Sequence, residues 1–197
     1  DLHTAYRRQR QMCIRDRGNG TPTTVTGYNT NGYLNLPGTV AQLSVRLPDS
    51  LKPTGVVPFT YIVYMQPNGY SYNGNFPGII SNQQFISPSV QEGLSWLISP
   101  SYAPSAGQYA QRDSVGFPTS LPYSGGGGLG VFSVYAIKFD GTSTTLYQYQ
   151  NGVLYNLNFV DATPITSSSS WGLFLGLRYN MWINAKFNYC LLYTSPS

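Results

Sequence analysis

The sequence predicts an all-β fold, either a sandwich or a barrel, and three observations carry this prediction. First, only 9% of the 197 residues are charged, whereas the chain holds 17 Tyr, 21 Gly and 14 Pro, a balance typical of turn-rich β-structure. Second, short extended segments bounded by Gly, Pro and Asn recur along the chain. Third, the apolar residues show no helical periodicity. The length fits one undivided domain.

The strands are predicted from runs of apolar and aromatic residues between turn signals. In PFTYIVYMQP, alternate side chains point to opposite faces of a strand, so one face is wholly apolar and the other is mixed. The apolar face consists of Phe59, Tyr61, Val63 and Met65. We predict nine strands, over residues 41–48, 58–67, 77–84, 93–99, 129–139, 144–150, 152–160, 171–179 and 186–193.

The stretch YAIKFDGTSTTLYQYQNGVLY (135–155) predicts a three-stranded antiparallel meander. Asn151-Gly152 supports a two-residue hairpin, because both central residues of that turn have positive φ, which Asn and Gly tolerate. Asp140-Gly141, followed by Thr and Ser, fits a slightly longer turn. Many short strands with such turns favour a sandwich or barrel over a parallel sheet with crossover helices.

Three long connections separate the predicted strands, over residues 68–78, 99–128 and 163–170. Connections of that length in a compact domain usually bind a ligand or are disordered. The first is rich in Tyr and Asn, and we assign ligand binding to it. The third is rich in Ser, and we expect a solvated linker.

The positive charge is concentrated at the N-terminus. Of the formal net charge of +4, residues 1–17 contribute +3, from five arginines against two aspartates. Residues 18–197 contribute +1, from six basic against five acidic residues. A nearly neutral body does not favour a nucleic-acid partner. No run of about eighteen apolar residues occurs, so the sequence predicts no membrane insertion.

Six segments follow one another in the order and spacing of a known family. They are FTYIVYMQP, GIISN, GLSWLIS, the meander, WGLFLGLRYN and INAKFNYCLLYT. Over about residues 41–193 the chain resembles a laminin-G-like module of the concanavalin-A-like lectin-glucanase jelly-roll superfamily. FDGTSTTLYQYQNGVL is the most specific part of this resemblance. It implies an antiparallel two-sheet jelly-roll β-sandwich whose ligand sites lie in rim loops or on a curved face.

The two ends of the chain differ in character from its body. RRQRQMCIRDR (7–17) and CLLYTSPS (190–197) resemble the translated read-through of sequencing adapters, which is excluded from fold reasoning. We expect residues 1–17 to be an artefactual leader, 18–193 to form a single jelly-roll sandwich, and 194–197 to be an artefactual tail. The alternative for the leader is a basic arm that binds nucleic acid or a membrane.

The sequence argues against most catalytic sites. Its one histidine, His3, lies in the leader, so a Ser-His-Asp or Cys-His arrangement and histidine metal sites are not expected. Glycoside hydrolysis needs two carboxylates a few ångströms apart. No two acidic residues of the body lie within twenty residues of each other; they are Asp49, Glu92, Asp113, Asp140 and Asp161. We expect no enzyme activity and rank a hydrolase third among the functions.

The resemblance also implies calcium as a possible cofactor, held by Asp carboxylates and carbonyl oxygens. Asp113, in the long connection before the meander, is the candidate ligand. The alternative is that Asp113 caps a turn or pairs with Arg112.

An aromatic and amide surface remains as the candidate ligand site. Sugars stack their C–H faces on aromatic rings while planar amides hydrogen-bond to their hydroxyl groups. Trp96, beside Leu94 and Leu97, is expected to pack in the core instead, and Trp171 has the same packing alternative. The candidate ligand-binding residues are Tyr70, Tyr72, Asn73, Asn75, Tyr102, Tyr179, Asn180 and Trp182.

The sequence therefore predicts a non-catalytic recognition module for a glycan or a cell-surface partner. The rival prediction is a structural jelly-roll domain of a viral or phage tail, fibre or capsid, or of a bacterial surface protein. Low charge and abundant Asn, Ser and Tyr suit that rival. For both we expect an extracellular, cell-surface or virion location and a place in a larger protein or assembly.

Overall fold

The computed structural model describes residues 33–38, 44–69, 77–87, 90–99, 107–113, 115–117, 129–160, 164–166, 171–178 and 181–194. Over these ranges the chain forms two six-stranded antiparallel sheets around one hydrophobic core. This architecture confirms the antiparallel two-sheet jelly-roll β-sandwich. Across the same ranges, no helix combines the length and apolar character that a membrane span requires.

In both sheets, several neighbouring strands are distant from each other along the chain. In spatial order, the first sheet consists of β1 (Leu34–Pro37), β16 (Asn184–Thr194), β3 (Phe59–Gly69), β10 (Ser133–Phe139), β11 (Ser143–Gln150) and β12 (Val153–Val160). The second consists of β2 (Val45–Leu47), β13 (Leu173–Leu175), β4 (Gly78–Ser81), β7 (Leu94–Ser99), β8 (Gly107–Arg112) and β9 (Val115–Phe117). Smaller elements are the ribbon of β5 (Gln84–Ser87) with β6 (Val90–Glu92), the ribbon of β14 (Leu177–Arg178) with β15 (Met181–Trp182), and a 3-10 turn at Asp49–Leu51.

The predicted meander is confirmed by β10, β11 and β12. β11 pairs with both neighbours in antiparallel register. Asn151 and Gly152 have positive φ, 51° and 81°, as a type I′ turn requires. In the other turn the Asp140 carboxylate accepts hydrogen bonds from the amides of Thr142 and Ser143, at 2.9 and 2.8 Å. Because these bonds stabilise the anion, they lower the pKa of Asp140 from its ordinary value.

The core is built by alternating side chains of both sheets. The predicted apolar face of β3 is confirmed, since its four residues are each at most 3% exposed. Trp96 of β7 is fully buried as predicted, and its indole nitrogen donates to Oε1 of Gln108 on β8 at 2.9 Å. Trp171 is half-buried and packs edge-on against Phe174, with ring centroids 5.9 Å apart. Both tryptophans therefore serve packing.

The prediction of one unbroken connection over residues 99–128 is wrong. It contains β8 and β9, which extend the second sheet. The described inward side chains of β8 are those of Gln108 and Ala110, each at most 1% exposed. Neither is a large apolar residue, so β8 lacks the apolar alternation by which strands are recognised. Its pairing with β7 places it in the sheet instead.

Two further predicted segments differ in detail. Ile165, within the predicted linker 163–170, is buried and forms an isolated antiparallel bridge with Gly55. The strand predicted over 171–179 is divided between β13 and β14 at Gly176, where φ is 83°. Glycine adopts this conformation without the steric cost that other residues incur.

Candidate ligand-binding end of the sandwich

The two main segments predicted to bind ligand are anchored beside each other. Residues 70–77 connect β3 to β4, and residues 179–183 connect β14 to β16. Gly69, the last residue of β3, pairs with Asn184, the first residue of β16. The two connections therefore meet the first sheet on neighbouring strands and at the same end.

The two connections also approach each other at the start of β4, in the second sheet. Gly78 begins β4 directly beside Leu177 of β14, where a Cβ on Gly78 would lie 2.6 Å from the Leu177 carbonyl oxygen. That separation is too short for any side chain. Glycine is therefore required where the two backbones approach, and the approach keeps the two connections together.

A third connection starts at this end. β7 finishes at Ser99, and the amide of Ile98 donates to the carbonyl of Pro77 at 3.1 Å. Residues 100–106, which carry Tyr102, therefore leave β7 beside the start of β4. We call this the loop end: it is the end of the sandwich marked by Gly69, Gly78, Ser99 and Asn184.

The structure thus gathers at one end the connections that carry the candidate ligand-binding residues. Trp182 lies on β15, where its backbone pairs with Leu177. Its side chain and the remaining candidates lie outside the described residues. These remaining candidates are Tyr70, Tyr72, Asn73, Asn75, Tyr102, Tyr179 and Asn180.

A buried polar network extends from Arg178, beside the loop end, toward the opposite end of β4 and β7, and no local sequence pattern predicted it. The hydroxyl oxygens of Ser81 and Ser95, on β4 and β7, are 2.9 Å apart. Oε1 of Gln83 accepts hydrogen bonds from Oγ of Ser95 at 2.7 Å and from Nε of Arg178 at 3.0 Å. Nε2 of Gln83 donates to Oε1 of Gln91 at 3.0 Å. The network therefore joins β4, β7, β14 and the β5–β6 ribbon.

Arg178 is the member of this network that adjoins the candidate ligand-binding residues in sequence. It is only 9% exposed, and it directly precedes Tyr179, the first residue of the second connection. A buried guanidinium requires hydrogen-bond acceptors, and Gln83 supplies one. The polar run Ser81–Gln84, at the end of the apolar β4, was a sequence signal for buried polar contacts. The signal did not identify Arg178 as a partner, because Arg178 lies far along the chain.

Aromatic side chains form a second surface, on the outer face of the first sheet. Tyr33, Phe132, Tyr64 and Tyr189 are all half-buried. Phe132 lies between Tyr33 and Tyr64, with ring centroids 6.2 and 5.1 Å away, and Tyr64 lies 5.4 Å from Tyr189. The ammonium group of Lys186 lies 5.2 Å from the Tyr33 ring centroid, within the range of a cation–π contact. The sequence analysis did not single out this row.

Asp113, the candidate calcium ligand, lies at the opposite end of the sandwich. It occupies the turn after β8 with φ 47°. Its carboxylate accepts from the amide of Gly93 at 2.7 Å and from the amide of Thr166 at 3.1 Å. Its own amide donates to the Gly93 carbonyl at 2.9 Å. These contacts are those of a residue that caps a turn. Asp113 is separated from the loop end by the length of β7, roughly 17 Å.

Other described carboxylates also make local contacts. Asp49 lies 3.1 Å from the ammonium group of Lys52 and 3.3 Å from the guanidinium of Arg46. The hydrogen bond from Lys52 lowers the pKa of Asp49 from its ordinary value. Within the described part of the chain, no group of three or more His, Cys, Asp or Glu residues could hold a metal ion.

Two solved structures are similar enough to support the fold. No protein-family model and no curated protein matches the sequence. Domain 4 of AbnA, a GH43 extracellular arabinanase from Geobacillus stearothermophilus, in complex with arabinotriose, is similar with TM-score 0.54 and 14% identity, over 82% of this chain and 70% of that chain. A protein of unknown function from Shewanella oneidensis MR-1 is similar with TM-score 0.50 and 10% identity, over 82% and 68% of the two chains. A legume lectin-like domain from Entamoeba histolytica has TM-score 0.46 and 10% identity, over 84% and 85%.

Proposed function

We propose that this chain is a non-catalytic recognition module that binds a glycan or a cell-surface partner at the loop end. One observation carries the proposal: connections rich in Tyr and Asn converge at one end of a β-sandwich. Binding residues commonly lie on loops that a rigid scaffold positions. Tyr rings offer apolar faces for sugar C–H groups, and Asn amides offer donors and acceptors for hydroxyl groups.

The described residues support a pre-organised base for this site. The bond from Arg178 to Gln83 holds the start of the connection at Tyr179, and the pairing of Gly69 with Asn184 holds both connections to the first sheet. A site whose base is already ordered loses less conformational entropy when it binds. The fold-similar arabinanase domain is in complex with arabinotriose, which supports a glycan as the ligand class.

The engagement of Asp113 and Asp140 supports a non-catalytic role. Asp113 and Asp140 direct their oxygens to backbone amides of turns, whereas glycoside hydrolysis needs two carboxylates directed at one bond. For a module of this kind we infer an extracellular, cell-surface or virion location within a larger protein or assembly.

The test is a glycan-array screen of the full chain, first with calcium and then with a chelator. We expect the wild-type chain to bind a glycan. The variants Tyr72→Ala and Trp182→Ala should abolish this binding. The variant Tyr147→Ala, on the outer face of β11, should leave it unchanged. Loss of binding with the chelator would add a metal to the site. A blank array from a folded, monodisperse sample would count against a glycan ligand.

A second candidate is the structural jelly-roll domain of a virion or bacterial surface protein. The low charge and the exposed apolar side chains of β12 favour it, because both suit assembly between subunits. Light scattering would support this candidate over the recognition module if the chain assembles, without any sugar, into oligomers larger than a dimer.

A further inference from the structure

In the part of the chain that the structure describes, β12 forms an edge strand without charge, proline or a bulge. It is the last strand of the first sheet in the described part of the chain. It pairs with β11 over eight consecutive residue pairs without a bulge, and residues 143–160 contain neither a charged residue nor a proline. Natural edge strands usually carry charge, proline or a bulge, which prevent pairing with another chain. β12 is therefore competent to accept a further strand.

Large apolar side chains are exposed along this edge. Leu154 is 57% exposed and Val160 is 84% exposed, on the outer face of the sheet. Val153 and Tyr149 beside them are 47% and 48% exposed. Single exposed apolar residues are ordinary. Leu154 pairs with Tyr149 and follows Val153 at one end of this uncharged edge, and Val160 lies at the other end, with Asn156 and Asn158 between them. Apolar residues exposed at both ends of an uncharged edge favour a surface that another protein covers.

The sequence of β12 indicates that the covering protein is a second copy of this chain. A two-fold interface requires that residue i of one copy meets residue j of the other while j meets i. An antiparallel strand pair with its two-fold axis at one residue matches positions equally distant on either side. VLYNLNFV has this symmetry of residue types around Leu157. Outward from Leu157, the matched positions are Asn156 with Asn158, Tyr155 with Phe159, and Leu154 with Val160.

We propose that two copies associate through β12 in an antiparallel pair centred on Leu157, which joins their first sheets into one continuous sheet. Leu154 then covers the partner subunit's Val160 on the outer face. Nδ2 of Asn158 donates within its own chain to Oγ1 of Thr145 at 2.7 Å, which leaves Oδ1 of Asn158 to accept from Nδ2 of the partner subunit's Asn156. The outward backbone groups of each edge, which have no further strand beside them in the described ranges, find partners in the other.

Each matched pair stays on one face of the joined sheet. Residues 154, 156, 158 and 160 share the outer face because side chains alternate along a strand. The register therefore sets apolar against apolar and amide against amide, and such cross-strand pairs stabilise a sheet. This pairing does not involve the loop end and does not depend on the proposed recognition function.

The test is the mass of the full chain in solution, measured by size-exclusion chromatography with light scattering over a wide concentration range. We expect a dimer, twice the 21.7 kDa of the chain, that dissociates on dilution. The variant Leu154→Lys with Val160→Lys sets lysine against lysine at both ends of the pair, and we expect a monomer. The variant Leu154→Lys with Val160→Glu sets lysine against glutamate at the same positions, and we expect the dimer to return.

The two double variants control for each other, because they differ only in the charge at position 160. Val56→Lys, an exposed apolar residue outside β12, should leave the dimer unchanged. A wild-type chain that is monomeric at every concentration would overturn the proposal. If the two double variants had the same association state, either both monomeric or both dimeric, that result would overturn the register centred on Leu157. Thermal unfolding of both confirms that each is folded.

Discussion

Gln108 in the second sheet donates a hydrogen bond from Nε2 to the carbonyl oxygen of Tyr147 in the first sheet, across 2.7 Å. The same side chain accepts a hydrogen bond from the indole nitrogen of Trp96 at 2.9 Å. Gln108 is completely buried, so neither bond competes with water. One amide therefore satisfies a buried indole and ties the two sheets together.

Replacing Gln108 by Leu should destabilise the fold. The substitution leaves the Trp96 indole nitrogen and the Tyr147 carbonyl without this partner, and each buried unsatisfied group costs about 1–3 kcal/mol. We expect the free energy of unfolding, measured by urea denaturation, to fall by at least about 2 kcal/mol. Lys138→Gln, at an exposed position of β10, is the control and should change it by less than about 0.5 kcal/mol.

Replacing Gly78 by Ala should displace the connections at the loop end. The added Cβ would lie 2.6 Å from the Leu177 carbonyl oxygen, so the backbones of β4 and β14 would have to separate. We expect a loss of about 1–3 kcal/mol in unfolding free energy together with weaker ligand binding on the array. Gly172→Ala is the matched control, because the atoms its Cβ meets, Nε of Arg46 at 2.9 Å and the Phe174 ring at 3.1 Å, belong to side chains and not to the backbone. Equal effects of the two variants would contradict this reasoning.

The contact between Gln83 and Arg178 should appear as an energetic coupling. In a double-mutant cycle, Gln83→Met and Arg178→Met should each destabilise the fold. The double variant should lose less than the sum of both, by about 0.5–3 kcal/mol, because either change alone breaks the bond at 3.0 Å. Strict additivity in urea unfolding would show that the two side chains act independently.

The Asp140 turn should make stability depend on pH at the acidic end. Hydrogen bonds from Thr142 and Ser143 hold the pKa of folded Asp140 below the ordinary value of 3.8. A group with a depressed folded pKa contributes stability above its unfolded pKa and loses it as pH falls toward the folded pKa. Asp140→Ala should therefore unfold at a lower temperature than wild type at pH 7, and the gap should narrow below about pH 4. A gap that is constant with pH would contradict an ionic contribution.

Where turns and alternation are local, the sequence was a sufficient guide. The meander followed from Asn151-Gly152 and Asp140-Gly141, because both turns are specified by adjacent residues. The inward face of β3 followed from period-two alternation. β8 was not recognised, because Gln108 and Ala110 face the core without the apolar pattern of a strand. The role of Asp113 was open as well, because its hydrogen-bond partners, Gly93 and Thr166, are distant in sequence.

The candidate ligand residues show the same division. Composition alone pointed to the Tyr- and Asn-rich connections, because those residue types suit sugar recognition whatever their position. Only the pairing of Gly69 with Asn184 and the approach of Gly78 to Leu177 decided that these connections lie together. The sequence by itself determined the meander, its two turns, the inward face of β3 and the residue types of the candidate site. The tertiary structure decided which connections share an end and which buried polar side chains support them, because antiparallel pairing joins residues that no local pattern relates.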